Sequence, residues 1–312
     1  MVRRISLHRQ RKLLQIPGDL SADSVFAIIR PLMRHPFSEV RPLLWLGIAG
    51  MTLAALSGVV ALVHGAIILP EGDLTKSMSF DAAVGIYVLT LALFLPLAEF
   101  TPGARRRWIR FVVGLTCFGY AVETIQVLRG IDPRFTRVGG AGDQIAGALF
   151  GISALGIMTM FIVLAVKLWR RPLKGPDLLF LLAIRYGSIV TVMGFLSGFW
   201  MSALQGRHVG PGGNILPLHA LCFHAIQAVP LVALFLSKSN LTDTQAKFWI
   251  HLAGLSWLGT CLAVGWQTAM GKPLTQISGI MVTAFGLALL WAICLAKAAL
   301  SSRMTRQPAL AR

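Results

Sequence analysis

Eight long apolar stretches constrain the fold of this chain more than any other feature of its sequence. A transmembrane helix needs roughly 20 mainly apolar residues, and stretches of about this length run over residues 43–69, 80–100, 108–128, 144–169, 178–204, 215–236, 248–270 and 277–300. Backbone polar groups cannot stay unpaired in hydrocarbon, and runs this continuously apolar lack the alternation of barrel strands. The sequence therefore predicts an all-α, polytopic transmembrane bundle of about eight spans.

The composition agrees with this class and divides the chain into three regions. Only 13% of the residues are charged, against about 25% in an ordinary soluble domain. Residues 1–42 form a basic tail in which 21–33 carry an apolar stripe typical of a helix lying on the membrane surface, the alternative being a disordered tail. Residues 43–301 form the bundle, and 302–312 form a second short tail.

The net charge of +17 is distributed unevenly between the two sides of the predicted bundle. When successive gaps are assigned to alternate sides, 22 of the 29 Lys and Arg residues fall on the side of the two termini, and six fall on the other. Positive charge collects on the cytoplasmic side during insertion. The pattern predicts that both termini are cytoplasmic, and that the partners of the basic side are anionic lipid headgroups rather than nucleic acid.

Ionisable side chains inside spans are costly and indicate function by default. With the span limits above, Glu123 is the only acid well inside a span, and His64, His219 and His224 are the only histidines. At ~1.5 Å per helical residue, three of the four lie about 6–8 Å below the outer boundary, and His224 lies deeper. The four residues are candidates for binding haem b or a metal ion, or for relaying protons.

Two of these candidates share a helix face with a glutamine. Glu123 precedes Gln126 by three positions, and His224 precedes Gln227 by three, so each pair lies on one face of its helix. If the two faces meet, the carboxylate of Glu123 and the imidazole of His224 can form a hydrogen bond with each other. A structural interhelical hydrogen bond is the alternative. For His64 and His219, the alternative to axial ligation is that both polar tips reach the wet interface.

The predicted outer loops carry cations beside glycine-rich turns. Arg129, Arg137, Arg207 and His208, together with Gln126 and Gln227, are candidates for binding an anionic or amphipathic solute, although such glycines also simply make tight turns. The segments 137–143 and 207–214 resemble each other, and each ends in a good N-cap residue, Asp143 or Asn214. This echo suggests a weak duplication, but the predicted spans do not follow a tandem repeat.

The sixth span and its surroundings resemble a group of bacterial integral membrane proteins with no established activity. The pattern consists of His219-x4-His224-x2-Gln227-x2-Pro230, preceded by His208-Val-Gly and Leu216-Pro217, with Gln126-x2-Arg129-Gly130 as a second match. The resemblance covers the third to the sixth span. Where the group has Ser-His-Phe-Asn, this chain has Pro133-Arg134-Phe135-Thr136. The resemblance implies a shared architecture and a bacterial inner membrane.

Three hypotheses follow for the function. The first is a multi-pass inner-membrane protein whose polar His/Glu site in the outer half of the membrane binds haem or a metal or relays protons. The second is a small transporter for an anionic or amphipathic solute, and the third is a structural or assembly subunit. The sequence contains no Walker loop, HExxH or nucleophile triad, so it leaves enzymatic activity, the ligand and the oligomeric state open.

Overall fold

The computed structural model describes residues 39–304, and eight long helices make up most of them. The helices are α1 Arg41–His64, α2 Leu74–Phe94, α3 Pro102–Leu128, α4 Ala141–Arg170, α5 Leu178–Ala203, α6 Ile215–Leu236, α7 Asp243–Ala269 and α8 Gly279–Met304. Each of the eight is long and apolar enough to cross a membrane. The predicted all-α, eight-span bundle is therefore confirmed. The surface helix expected at 21–33 lies outside the described residues, as do residues 305–312.

Two short antiparallel hairpins are the other regular elements. The strands β1 Ile67–Ile68 and β2 Gly72–Asp73 join α1 to α2, while β3 His208–Val209 and β4 Gly213–Asn214 join α5 to α6. Short 3-10 segments at Leu95–Ala98 and Gly175–Asp177 lead out of α2 and into α5. We call the end of the bundle that carries 65–73, 129–140, 204–214 and 270–278 the hairpin end, and the opposite end the basic end.

The first hairpin moves two of the predicted span boundaries. The span predicted to end at residue 69 ends at His64, because Gly65 adopts a φ of 91° and the chain turns into the hairpin. The span predicted to begin at residue 80 begins at Leu74, because the Asp73 side chain accepts hydrogen bonds from the amides of the first helical turn. The extension adds more than one turn to α2 and places Asp81 within the spanning helix.

The N-cap predictions were half right. Asn214 caps α6 by accepting a hydrogen bond from Leu216 N. Asp143 does not cap α4 from outside the helix, since Gly140 is the N-cap residue. Asp143 lies one turn further on, at the third helical position, and accepts a hydrogen bond from Gly140 N at 3.0 Å.

The two hairpins mark an internal duplication of the whole fold. Helices α1–α4 with the first hairpin form the first half, and α5–α8 with the second hairpin form the second half. Up to the end of the third helix of each half, equivalent positions are 141 residues apart: α3 spans Pro102–Leu128 and α7 spans Asp243–Ala269, with Thr101 and Thr242 as their N-caps. The hairpin registers coincide as well, with Ile68 opposite Gly72 and Val209 opposite Gly213.

At the hairpin end, an equivalent backbone hydrogen bond joins the hairpin to the loop after the third helix within each half. Glu71 N donates to Gly130 O in the first half, and Gly212 N donates to Gly271 O in the second. Both acceptor glycines have positive φ, 74° and 68°. The segment equivalent to 207–214 in the first half is therefore 66–73. The expected equivalence of 207–214 with 137–143 was wrong, because it was based on glycine content rather than on backbone position. Four spans in each half give the two repeats the same direction through the bundle.

Close contact between neighbouring helices builds the core. A Cβ on Gly85 of α2 would lie 2.9 Å from Gly47 O of α1, and a Cβ on Gly187 of α5 would lie 3.0 Å from Ala225 O of α6. Such contact between small residues is how helices associate in lipid, where there is little hydrophobic driving force. The halves meet through one apolar cluster and through Gln227, whose side chain lies 2.9 Å from Thr90 Oγ1.

Candidate functional site

The structure places the three predicted membrane histidines in different surroundings. His64 is the exposed last residue of α1, and His224 is exposed on α6. His219 is partly buried, with Nδ1 2.9 Å from Ser197 Oγ and its ring against Phe223. Among residues 39–304, no group of three or more His, Cys, Asp or Glu side chains is arranged to hold a metal ion. The haem or metal hypothesis thus gains no ligand set from this part of the chain.

Glu123 pairs with an arginine rather than with His224. Its side chain is completely buried on α3, and Oε2 lies 2.7 Å from Arg134 Nη2. Arg134 comes from the loop 129–140, and its Cζ lies 5.2 Å from the ring centre of Phe80 and 5.3 Å from that of Phe150. A loop cation is thereby inserted between α2, α3 and α4, below the hairpin end.

A second buried acid lies beside this ion pair. Asp81 is completely buried on α2, and its carboxylate interacts electrostatically with Glu123 and Arg134. Ser77 Oγ lies at a long 3.5 Å from Oδ2, while Oδ1 has no hydrogen-bond partner within the described chain. The sequence prediction missed Asp81, because a span beginning at residue 80 puts it at the interface. The N-cap signal of Asp73 would have placed it about 10 Å inside the helix.

Tyr120 completes the cluster from α3. Its hydroxyl is buried and, among residues 39–304, has no hydrogen-bond partner. It interacts electrostatically with Asp81 and packs against Gly50 of α1, where any Cβ would collide with the hydroxyl oxygen. Buried polar atoms are nearly always hydrogen-bonded in native proteins. The unsatisfied oxygens of Asp81 and Tyr120, together with Oε1 of Glu123, therefore mark a place with capacity for a proton or a ligand.

Two acids outside the spans fix the loop that delivers Arg134. Asp132 Oδ1 accepts hydrogen bonds from Arg134 N and Phe135 N, both at 2.9 Å. Glu71 accepts one from Thr136 Oγ1 at 2.6 Å, which holds the pKa of Glu71 below its usual range. Burial raises the pKa of Asp132, but its two amide hydrogen bonds and the nearby Lys76 outweigh burial, and the net shift is downward. Both acids therefore act on the loop as carboxylates.

Two of the predicted ligand-binding residues are engaged in holding the same loop. Gln126 Nε2 donates to Asp143 Oδ1 at 3.1 Å, and Arg129 Nη1 donates to the same oxygen at 2.6 Å and to Gln126 Oε1 at 2.7 Å. Gln267, at the equivalent position of the second half, donates to two carbonyls of the loop 270–278 and accepts from Ser278 Oγ. This glutamine therefore fastens the loop after the third helix in both halves.

The remaining predicted ligand-binding residues lie apart from the cluster. Arg137 is exposed, and its backbone amide donates to Glu71 Oε1 at 2.9 Å. Arg207 and His208 are exposed on the second hairpin, in the other half of the molecule. Gln227 contacts Thr90. Arg185 on α5 donates to the carbonyls of Trp169 and Arg171, and Glu99 pairs with Arg171.

The second half shows what the fold itself requires at the cluster positions. The equivalents of Ser77, Asp81, Tyr120 and Glu123 are Leu218, Cys222, Cys261 and Val264. All four of these residues are buried and belong to one apolar cluster. The same backbone arrangement thus forms in the second half without a buried acid, so the fold does not require the polar cluster of the first half.

No family model, curated protein or solved structure matches this chain.

Proposed function

We propose that this protein is a proton-binding membrane protein whose site is the carboxylate pair, Asp81 and Glu123, with Tyr120 and Arg134. Of the three versions of the first hypothesis, this is the proton-relaying one, extended by an acid and an arginine that the sequence prediction did not include. The observation that carries it is that two completely buried acids lie on spanning helices beside Arg134, which forms an ion pair with Glu123 and interacts electrostatically with Asp81.

Charge balance is the physical reason for a proton at this site. If both carboxylates were ionised, Arg134 would neutralise only one of them, and a net negative charge would stay in a low-dielectric environment. Such a charge is costly in a membrane, and two nearby carboxylates disfavour joint ionisation. A proton bound by one of the two carboxylates removes the charge.

The other titratable and charged groups around the pair are few. Among the described residues they are Lys76 on α2, Cys117 and Tyr120 on α3, and Asp132 and Arg134 on the loop. His219 on α6 interacts electrostatically with Arg134. Lys76 and Asp132 form their own ion pair at 3.4 Å, at the hairpin end. Arg134 is therefore the main countercharge, and its contact with the pair decides how many protons the pair holds.

The anionic-solute alternative is less well supported by the geometry of the first half. Arg129, Lys76 and Arg134 each pair with a carboxylate, and the first hairpin and the loop 129–140 also carry Glu71 and Asp73. Arg207, His208 and Lys272 lie on loops of the second half that contain no acid, so an anion would bind there. The structural-subunit alternative predicts that changes to the carboxylate pair affect stability only.

Orientation and location belong to the same proposal. The basic end carries Arg105, Arg106, Arg107, Lys167 and Arg170, which favours a cytoplasmic basic end facing anionic lipid headgroups. The site then lies in the outer half of a bacterial inner membrane, about 8 Å below the hairpin end of α3.

Potentiometric titration of the detergent-solubilised protein tests proton binding. Between pH ~9 and ~6, solvent-exposed carboxylates stay ionised. We expect the wild-type protein to take up about one proton more over this interval than the folded double variant Asp81→Asn/Glu123→Gln. The matched control is Glu99→Gln, which removes an exposed acid at the basic end and should not change the uptake. Equal uptake by the wild-type protein and the double variant contradicts the proposal.

A further inference from the structure

We propose that the guanidinium of Arg134 occupies a binding site for an organic cation. The site, which we call the cradle, consists of the carboxylates of Asp81 and Glu123 and the rings of Phe80 and Phe150. Its ligands would be guanidinium or alkylammonium compounds, which would exchange with protons. The inference rests on the proposed function, since it names the class of solute that the proton-binding pair would recognise.

The contacts of Arg134 define the chemistry that the cradle recognises. One carboxylate lies within ion-pair distance of the guanidinium, and two aromatic rings face its carbon at 5.2 and 5.3 Å. A carboxylate gives a guanidinium charge-assisted hydrogen bonds, and aromatic faces attract cations within about 6 Å of the ring centre. Together these groups recognise an organic cation with an apolar part better than they recognise a small hydrated ion.

The cradle has binding capacity that Arg134 does not use. Asp81 Oδ1, Glu123 Oε1 and the Tyr120 hydroxyl are buried and have no hydrogen-bond partner among residues 39–304. The carboxylates also outnumber the arginine by two to one. If Arg134 withdrew, the cradle would carry two buried acids with no cation between them. Either a cation or additional protons would then have to bind to the two carboxylates. Cations and protons would therefore compete for the same site.

Arg134 can withdraw more readily than a residue on a helix. It belongs to a loop, and its side chain is 27% exposed whereas that of Glu123 is fully buried. The hydrogen bonds of Glu71 and Asp132 that hold the loop would have to break for the loop to move. Loops change conformation without disturbing helix packing. Movement of 129–140 would therefore open the cradle towards the hairpin end while the helices that carry the carboxylates stay in place.

The second half again provides the comparison. The loop 129–140 is three residues longer than its counterpart 270–278. Because the loops differ in length, Arg134 has no defined equivalent in 270–278, and the apolar cluster of the second half contains no acid. The inserted cation, the longer loop and the carboxylate pair thus occur together in one half and are all missing from the described residues of the other. This joint occurrence is expected if the arginine and the two acids form a single binding site.

Binding of ethylguanidinium to Arg134→Ala tests the inference. The variant vacates the cradle, so ethylguanidinium should bind to it and raise its unfolding temperature. The neutral analogue N-ethylurea and sodium chloride at equal concentration should not. Ethylguanidinium should have no such effect on the wild-type protein, where Arg134 fills the site, or on Arg134→Ala/Glu123→Gln, where the carboxylate is missing. Its apparent Kd for Arg134→Ala should rise as the pH falls, by up to about tenfold per pH unit if one proton competes.

Two results would overturn the inference. The first is a folded Arg134→Ala, or Arg134→Gln if the alanine variant does not fold, that shows no effect of ethylguanidinium. The second is an equal effect of N-ethylurea. Failure here is distinguishable from failure of the proposed function: normal proton uptake by the wild-type protein without cation binding refutes the cradle alone. Cation binding without the extra proton uptake supports the cradle and refutes proton binding.

Discussion

Glu123 and Val264 occupy equivalent positions of α3 and α7. Each lies five residues before the end of its helix and three before a buried glutamine, Gln126 or Gln267, that fastens the following loop. One is a fully buried carboxylate, and the other is a buried aliphatic side chain. The second half therefore shows which residues the helix packing requires, and the acids found only in the first half belong to the candidate site.

The first prediction concerns the ion pair between Glu123 and Arg134. Glu123→Gln should lower the free energy of unfolding by about 3 kcal/mol, because the largely buried guanidinium loses its ion-pair partner and keeps only the electrostatic interaction with Asp81. Glu123→Gln/Arg134→Gln should be more stable than Glu123→Gln alone, since the guanidinium is removed and Asp81 can bind a proton. Denaturation in mild detergent measures both. A double variant less stable than either single variant would contradict the assigned pairing.

The second prediction concerns Gly50, which admits the Tyr120 hydroxyl. Gly50→Ala should destabilise the protein by about 1–3 kcal/mol, because the added methyl group collides with that hydroxyl and lies 2.8 Å from Asp81 O. Gly114→Ala on α3 is the control, since nothing lies within 4 Å of its added Cβ. The control should be neutral or slightly stabilising. Similar losses for both variants would mean that Tyr120 does not pack against α1 in this way.

The third prediction is a pH dependence of the loop 129–140. The pKa values of Glu71 and Asp132 are lowered in the folded protein. Their contribution to loop stability is therefore present above the ordinary carboxylate range near pH ~4, and it is lost as the pH falls through the lowered values. Limited proteolysis of the loop should accelerate over this acidic interval.

Glu71→Gln is the matched variant for this prediction. It should accelerate cleavage of the loop already at neutral pH and leave a smaller further change on acidification. A loop whose cleavage rate is independent of pH in the wild-type protein would show that the two carboxylates do not anchor it.

The fourth prediction separates the two histidines of α6. His219→Ala should lower the free energy of unfolding by about 1 kcal/mol, because it removes the hydrogen bond with Ser197. His224→Ala should change stability little, since that side chain is exposed. The absorption spectrum of the purified protein checks the haem hypothesis in parallel. A haem band that His224→Ala abolishes would contradict the description of the site given above.

Hydropathy and charge were enough to predict the number of spans and the distance of Glu123 from the end of its helix, because these depend on local composition. The partner of Glu123 was not predictable in the same way. Arg134 lies in a loop, and its path into the bundle depends on the contacts of Glu71 with that loop, which come from a hairpin more than 60 residues away in the sequence. Asp81 was missed for a local reason, since the capping signal of Asp73 was not used to set the start of α2.

The sequence analysis detected only a weak sign of the duplication, because the two halves share backbone geometry more than they share side chains. The positions that agree have backbone or capping roles, such as Pro70 with Pro211 and Gly130 with Gly271. Thr101 with Thr242, and Gln126 with Gln267, follow the same constant separation of 141 residues. A search for identical residues at one fixed spacing would have found this repeat, whereas comparison of glycine-rich segments did not.

Infrared difference spectroscopy of the reconstituted protein between acidic and alkaline pH observes the protonated carboxyl group itself and is therefore the decisive measurement. We expect a carboxyl band from a buried, protonated acid. The band should be altered by Asp81→Asn or Glu123→Gln, absent from the double variant and unchanged in Glu99→Gln. A wild-type protein without such a band, or a band that persists in the folded double variant, would contradict a shared proton on the carboxylate pair.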